Sequence, residues 1–380
     1  MKVVLAIDSF KGCISSVEAN SAAAEGIRAM CPDAEILQVP VSDGGEGFLD
    51  AFYVATSRQL NKELDEEQAQ QASGYQEKGG EAQIVEVTVR DPLMRHIVAR
   101  YLLQEETAII EMAQASGLTL LSEEERNPLI ATTYGTGQIV ADAVKRGAKH
   151  VIVGLGGSAT SDAGIGMLRA LIDTFAKQGS WDDIKELKDV RFTIATDVKN
   201  PLYGENGAAY VFGKQKFGAE KHLSDKLRLL DERARKFAEV SARHFGFDRS
   251  TAEGAGAAGG LGYAFLEYLN AESISGVKLL LDTIRFRQIA RDADLIITGE
   301  GSADRQTLMG KLPMGILEHA ADTPVALLAG KVSHREELLQ AGFRHVECIN
   351  PPGLALDEAM RKEVAQRNIS LTAGRLCHIR

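Results

Sequence analysis

The sequence is poor in the features that mark several classes of protein. Its four cysteines are scattered and form no C-x-x-C pair. We therefore expect neither a zinc site nor a disulfide framework, and reduced thiols favour a cytoplasmic protein. No apolar run reaches the roughly 20 residues that cross a bilayer, and the first residues predict a strand rather than a signal peptide. A membrane partner is not expected.

Basic charge is also scarce. The chain has 43 Lys and Arg against 53 Asp and Glu, which gives a net charge of −10. Because binding of the nucleic-acid phosphate backbone needs a basic protein face, this balance argues against DNA or RNA as a partner. A few well-placed lysines would still suffice to bind a small anionic metabolite.

Familiar nucleotide and hydrolase signatures are missing. The Gly310-Lys311 pair is not a Walker A motif, because Leu312 stands where Ser or Thr is required. No G-x-S-x-G sequence is present, which weakens a serine hydrolase hypothesis. The segment 254–259 matches G-x-G-x-x-G, but it follows a predicted helix and turn instead of a strand. A dinucleotide site there is poorly supported, and close packing of the next helix is the alternative.

The sequence does contain four apolar runs that each end in a loop of glycine, carboxylate and hydroxyl groups. In an open parallel sheet such loops gather at one edge, where ligands bind. Glycine lets N–H groups approach an anion, a following helix adds a positive dipole end, and carboxylates can hold Mg²⁺. The pattern predicts a phosphate-handling enzyme; the loops are residues 8–12, 42–47, 156–162 and 299–304.

The length of 380 residues predicts two α/β domains. Alternating strand and helix patterns predict one parallel α/β domain in three segments, interrupted twice by a second, mixed domain. The first domain is expected to comprise residues 1–82, 131–189 and 282–380, and the second residues 83–130 and 190–281. We expect the active site in the cleft between the domains, where closure would exclude water.

Local patterns add detail to these domains. Short apolar runs at 84–89, 97–103 and 107–112 predict antiparallel strands. Another strand is predicted near Tyr210 to Phe212. Residues 61–80 are polar and rich in Glu, Gln, Lys and Gly, which is typical of a surface insertion or mobile loop.

Single residues in the loops have competing explanations. Lys11, at a strand end, could be a phosphate counter-charge or an ordinary solvated lysine. The loop 156–162 lies between a buried strand and a helix, which favours phosphate binding, but Ser158 or Thr160 could simply cap the helix. Asp197 suits a general base, and an Asx-turn before the following proline is the alternative.

The loops together resemble those of the bacterial class I glycerate kinases. The matching motifs follow one another through nearly the whole chain: 8–11, 40–47, 156–162, 197–202, 254–260 and 299–307. The resemblance implies phosphorylation of D-glycerate by ATP with Mg²⁺, generally on the 2-hydroxyl. It also implies a flavodoxin-like parallel α/β/α domain joined to a smaller mixed α/β domain. Ser161 and Ala163 stand where the family often has Asn and Gly, and Ser302 replaces a frequent Arg.

The resemblance and the strand-end positions together give hypothetical roles. Asp197 is assigned as the base, with Lys11 and Asp43 as the other catalytic residues. The nucleotide and phosphate contacts are assigned to Gly156, Gly157, Ser158, Thr160, Lys216, Gly299, Gly301 and Lys311. Substrate contacts are assigned to Ser9, Gly44, Gly45 and Glu46, and Mg²⁺ coordination to Asp43 and Asp304.

Alternatives stay open at this point. Within enzymes, a kinase of another small hydroxy acid or polyol fits the same motifs, since pocket size decides between them. A non-catalytic metabolite-binding protein is the alternative from another class. The motifs do not decide between 2-phosphoglycerate and 3-phosphoglycerate as product, and a homodimer is compatible with the sequence.

Overall fold

The computed structural model describes residues 1–42, 44–45, 47–56, 82–218 and 222–377. The predicted insertion at 61–80 and the predicted site residues Asp43 and Glu46 therefore lie outside the described residues. The chain divides into two compact units. None of the helices in the described part is long and apolar enough to cross a membrane.

The first unit draws on residues 1–43, 50–76 and 277–380 and contains a five-stranded sheet in which all pairs are parallel. Residues 3–7 of its first strand are completely buried, and strands covered on both faces read as continuous apolar runs. The strands are β1 (Lys2–Ile7), β2 (Glu35–Gln38), β9 (Leu295–Ala303), β10 (Val325–Val332) and β11 (His345–Cys348).

The strand order of this sheet is β2-β1-β9-β10-β11. Numbered within the unit, that is 2-1-3-4-5, the flavodoxin-like order, so the predicted flavodoxin-like parallel domain is confirmed. The chain direction across the sheet reverses between β1 and β9. In such sheets ligands bind beyond the carboxyl ends of the strands at this switch point.

Helices cover this sheet, and the first shows how the sequence starts one. The helix Ser16–Met30 is capped by Ser15, whose Oγ accepts a hydrogen bond from the Glu18 N–H, while the Glu18 carboxylate accepts one from the Ser15 N–H. A capping box of this kind is a local sequence signal for the start of a helix. The other helices wholly in this unit are Phe286–Arg291, Leu312–His319, Arg335–Gln340, Leu356–Ala359 and Lys362–Leu376.

The second unit draws on residues 44–49 and 77–276 and contains a six-stranded mixed sheet of order β3-β4-β5-β6-β7-β8. The pairs β3-β4 and β4-β5 are antiparallel, as predicted, and the remaining pairs are parallel. The strands are β3 (Gln83–Arg90), β4 (His96–Gln104), β5 (Thr107–Glu111), β6 (His150–Gly154), β7 (Arg191–Ala195) and β8 (Glu272–Ile274).

The helices of the second unit pack beside this sheet, and two further helices include residues of both units' ranges. Those of the second unit are Ala113–Ser116, Tyr134–Lys145, Ile165–Phe175, Ala208–Phe212, Leu223–Phe245 and Ala257–Tyr268. The two shared helices are Phe48–Thr56 and Gly276–Thr283.

One predicted segment belongs to the other unit. Residues 131–189 were expected in the flavodoxin-like domain, but they lie in the second unit. The reason is strand pairing, because β6 pairs with β5 on one side and with β7 on the other. The backbone hydrogen bonds at both of its edges are therefore made within the mixed sheet. The flavodoxin-like sheet is complete with five strands and does not include β6.

Two local predictions also need correction. Tyr210 to Phe212 form the end of the helix Ala208–Phe212 instead of a strand, and the Val211 N–H donates to the Gly207 carbonyl at 3.1 Å. The predicted loop after Thr298 is strand as far as Ala303, because Lys331 and Val332 of β10 pair with Ser302 and Ala303. The glycine-rich stretch of β9 is thus held in the sheet.

Candidate active site

A cavity of about 420 Å³ lies in the first unit, at the switch point of its parallel sheet. It is lined by residues that follow or end four neighbouring strands: Asp8 to Lys11 after β1, Glu300 to Ser302 of β9, Gly330 and Lys331 of β10, and Ile349 and Asn350 after β11. The sheet order thus brings together the first and the last of the four predicted loops. A volume of this size is typical of small-molecule sites.

The charged part of the cavity wall contains both cations and buried carboxylates. Lys11, Lys311 and Lys331 line it, together with Asp8 and Glu300. Asp8 and Glu300 are only 6% and 8% exposed, whereas Lys11 and Lys331 are exposed. Buried carboxylates are rare unless they are paired or bind a cation. Of the predicted residues, Lys11 and Lys311 both line this cavity.

Glu300 is a functional candidate that the sequence analysis missed. One of its carboxylate oxygens accepts a hydrogen bond from the Thr307 hydroxyl, and the other accepts one from the Lys311 ammonium at 3.2 Å. Burial raises the pKa of Glu300 above its ordinary value, although these two donors oppose the shift. Its position between the predicted site residues Gly299 and Gly301 was the sequence feature that could have identified Glu300 as a site residue.

The predicted substrate residue Ser9 also lines this cavity. Its hydroxyl is buried and has no hydrogen-bond partner among the described residues. A buried polar atom without a partner is costly, and a bound ligand is one way to satisfy it. Gly301 lines the same cavity, whereas a side chain at Gly299 would meet the Leu328 carbonyl of the adjacent strand at 2.5 Å.

Two buried carboxylates line the cavity and are the candidate ligands for a magnesium ion. Mg²⁺ commonly binds one or two protein carboxylates together with substrate phosphates, which matches Asp8 and Glu300. No cluster of three or more His, Cys, Asp or Glu side chains that could hold a metal occurs among the described residues. Asp304 makes a local turn, since its Oδ1 accepts the Gln306 N–H at 2.7 Å. Its metal role stays a prediction.

In the second unit, the loop after β6 is organised by Asp162. Its carboxylate accepts hydrogen bonds from the N–H groups of Gly164 and Gly166 and from the N–H and hydroxyl of Thr133. The helix Ile165–Phe175 begins at this point. The positive helix end predicted for a phosphate is therefore occupied by the protein's own carboxylate. Neither Ser158 nor Thr160 caps this helix.

Ser158, Thr160 and Lys216 were predicted to contact phosphate, and they lie together in the interior of the second unit. The Lys216 ammonium donates to the Ser158 hydroxyl and to the Thr160 carbonyl, both at 2.7 Å. Lys216 is 2% exposed, and burial lowers its pKa to about 7 although nearby Asp162 opposes the shift. The contacts indicate that Lys216 holds the loop; a contact with the nucleotide stays a prediction.

We expect the buried Lys216 to make stability depend on pH. The unfolded chain keeps the lysine proton up to about pH 10.5, whereas the folded protein loses it near pH 7. Unfolding free energy should therefore rise with pH over this window, by up to about 1.4 kcal/mol per pH unit. Urea unfolding of the native protein and of Lys216→Met from pH 7 to 9.5 measures this. The unfolding free energy of the native protein minus that of Lys216→Met should grow with pH. A difference that stays constant would contradict the lowered pKa of Lys216.

The predicted glycines of the second unit meet at the carboxyl ends of β6 and β7. The Gly156 N–H donates to the Gly44 carbonyl at 3.0 Å, and a side chain at Gly156 would lie 2.2 Å from the Cα of Gly45. Only glycines permit this backbone contact. Gly157 has a left-handed backbone with φ of +73°. The contact places the second predicted loop against the third; ligand binding by these glycines stays a prediction.

Asp197 lies two residues beyond the last residue of β7 and is exposed. The turn after the strand is made by its neighbour, because the Val198 N–H donates to the Thr196 hydroxyl at 3.2 Å. Gly44 lies beside the same strand end, with its ideal Cβ position 3.0 Å from the Ala195 carbonyl. Asp197 is thus placed at the glycine-lined edge of the mixed sheet, and its role as base stays a prediction.

Comparison with known proteins gives the site its context. The model of the glycerate kinase family matches residues 3–82, 73–182 and 177–379 of the chain. Glycerate kinase of Bacillus subtilis (strain 168) is 37% identical over 382 residues, which cover 94% of this chain and 93% of the relative. Glycerate 2-kinase of Escherichia coli (strain K12) is 35% identical, with 98% of both chains covered.

A solved structure agrees with the sequence relatives. It comes from Salmonella typhimurium LT2, is described as glycerate kinase 2, and is similar to this chain with a TM-score of 0.72 at 33% identity. The match covers 99% of this chain and 97% of the other. The strand-end cavity, the four loops and these full-length similarities lead to one conclusion: the chain belongs to the glycerate kinase family.

Proposed function

We propose that this enzyme transfers the γ-phosphoryl group of ATP to the 2-hydroxyl of D-glycerate, with Mg²⁺, in the cytoplasm. Family membership makes it a kinase that phosphorylates glycerate, and ATP is the phosphate donor implied for a kinase. The relative named as a glycerate 2-kinase supports the 2-hydroxyl as the acceptor. The observation that carries the proposal is the cavity at the switch point, whose lining contains lysines and buried carboxylates.

The chemistry requires three things of the protein. The glycerate hydroxyl must be oriented toward the γ-phosphorus, its proton must be accepted, and the charge on the transferred group must be neutralised. In the proposed reaction the hydroxyl oxygen forms the new bond to phosphorus as the bond to ADP breaks. Asp197 accepts the hydroxyl proton, and Lys11 and Lys311 neutralise charge on the phosphates.

Magnesium has a proposed place in the same cavity. Asp8 and Glu300 would hold the ion, and Asp43 and Asp304 remain predicted ligands as well. When bound, Mg²⁺ would neutralise part of the negative charge on the phosphates. The unpartnered Ser9 hydroxyl is placed to donate a hydrogen bond to an oxygen of a ligand in the cavity.

Incubation of the purified protein with D-glycerate, ATP and Mg²⁺ tests the proposal. We expect ³¹P NMR to show 2-phosphoglycerate and ADP in equal amounts. 3-Phosphoglycerate would contradict the regiochemistry, and saturable glycerate binding without ADP would contradict the enzyme activity. A panel of glycerol, lactate, glycolate and L-glycerate with coupled ADP detection separates glycerate from other small hydroxy acids and polyols. Light scattering tests the predicted homodimer.

A further inference from the structure

The cavity of the first unit is also lined by large apolar residues. These are Phe10, Leu312, Ile349, Leu356 and Met360, which join the lysines and carboxylates in the lining. Phe10, Leu312 and Ile349 are buried at 6% exposure or less. A small anion would use only the charged residues, so the apolar lining calls for a larger ligand.

Leu356 and Met360 are the unusual members of the apolar lining. Leu356 is 77% exposed and Met360 is 41% exposed, although both are large and apolar. They belong to or directly follow the short helix Leu356–Ala359. Single exposed apolar residues are common on proteins, but exposed apolar residues that line a cavity with a charged rim mark a binding site.

Lys331 adds a cation that the sequence analysis did not assign. It lies near the end of β10 and lines the cavity with Lys11 and Lys311. Lys311 is already paired with Glu300, at 3.2 Å. In the part of the chain that the structure describes, the Lys331 ammonium makes no ion pair. An exposed cation of this kind can bind a ligand phosphate without losing an existing ion pair.

We propose that this cavity binds the nucleotide, with the adenine base against Leu356 and Met360 and the phosphates on Lys11, Lys311 and Lys331. This assignment rests on the proposed function. A lining that contains both large apolar residues and three lysines matches a ligand that carries both a flat, weakly polar base and phosphates. A three-carbon acid has no apolar surface for Leu356 and Met360 and would fill only a small part of 420 Å³. The switch point is also where such sheets bind nucleotides.

The second unit contains another cavity, of about 560 Å³, that serves as the comparison. Met94, Ile130 and Ile165 are its exposed large apolar residues, and Arg169 and Arg233 are its cations. Both arginines are engaged, Arg169 with the Asp173 carboxylate at 2.8 Å and Arg233 with the Leu129 carbonyl at 3.2 Å. Each cation of this cavity thus already has a partner in the protein, whereas Lys331 of the first cavity has none among the described residues.

Calorimetric binding of MgATP and of inorganic tripolyphosphate tests the assignment without relying on turnover. The double variant Leu356→Ser/Met360→Ser should bind MgATP about tenfold more weakly, because it loses apolar contact with the base. Its affinity for tripolyphosphate should be unchanged. Lys331→Ala should weaken both ligands by about tenfold, because it loses a charged contact to phosphate. Circular dichroism confirms that each variant is folded.

Matched controls separate the nucleotide site from general surface effects. Leu371→Ser removes an exposed leucine of the same unit that does not line the cavity, and it should bind MgATP normally. Ile130→Ser/Ile165→Ser alters the other cavity and should also bind normally. Unchanged MgATP affinity in the Leu356 and Met360 variant, or a loss confined to the Ile130 and Ile165 variant, would overturn the assignment.

The binding experiment also separates this inference from the proposed reaction. MgATP binding that depends on Leu356 and Met360, with no ADP formed from D-glycerate, would reject the reaction and support the nucleotide site. Normal glycerate phosphorylation with MgATP affinity insensitive to all three substitutions would support the reaction and reject the site.

Discussion

Replacing Asp197 with Asn is expected to lower kcat by about 10²–10⁴-fold and to leave the affinity for MgATP nearly unchanged. Asn keeps the size of the side chain and can still accept a hydrogen bond, but it cannot take the proton from the glycerate hydroxyl. Asp197 is exposed at the carboxyl end of β7, beside the contact between Gly44 and Gly156. A substitution there should therefore remove the proton acceptor without removing a core contact.

Steady-state turnover at saturating substrates and calorimetric MgATP binding measure the two parts of this prediction. Asp189→Asn is the matched control, because Asp189 is exposed and precedes the amino end of the same strand β7. It should turn over normally. Near-native turnover of that variant would remove Asp197 from the role of base.

Much of the flavodoxin-like sheet was predictable because its signals are local. The run Val3 to Ile7 is apolar throughout, and the structure buries it completely between β2 and β9 of the parallel sheet. The capping box of Ser15 and Glu18 likewise starts the first long helix from neighbouring residues. Signals of this kind need no knowledge of distant contacts.

The assignment of β6 to a sheet was not predictable in the same way. A buried parallel strand would have the same apolar sequence pattern in either unit. Only the pairing of β6 with β5 and β7 decides to which sheet it belongs. Those pairings join residues far apart in the chain. The same holds for the end of β9, where the glycine-rich stretch looked like a loop but pairs with Lys331 and Val332.

The candidate site was predicted in part for a related reason. Strand-end loops identified Ser9, Lys11 and Lys311, which line one cavity. Glu300 was missed because glycines on both sides suggested a loop, whereas its burial follows from its place in β9. The burial of Lys216 was unpredictable, because lysine is normally exposed and its partner Ser158 is 58 residues away.

Replacing Gly259 with Ala is expected to lower the unfolding free energy by about 3 kcal/mol or more. Gly259 has φ of +67°, between Ala258 and Gly260, which are also left-handed. A Cβ there would lie 2.0 Å from the Thr160 carbonyl, and the Gly259 carbonyl itself accepts the Ala163 N–H at 3.0 Å. Because the obstacle is backbone, no side-chain rotation can relieve it. The alanine should push the loop 156–162 away from Lys216.

The Gly147→Ala variant is the control that separates the cost of a left-handed backbone from the cost of a steric clash. Gly147 has φ of +98° but no atom within 4 Å of its ideal Cβ position, so its alanine variant should lose only about 1–2 kcal/mol. Urea unfolding of both variants measures the difference, and MgATP binding decides between the two explanations of the 254–259 motif. If these glycines bind a dinucleotide, Gly259→Ala should lose nucleotide affinity while it loses no more stability than Gly147→Ala. If they pack against the loop 156–162, as the Thr160 contact indicates, the main effect should be a loss of unfolding free energy, because the two loops can no longer approach each other.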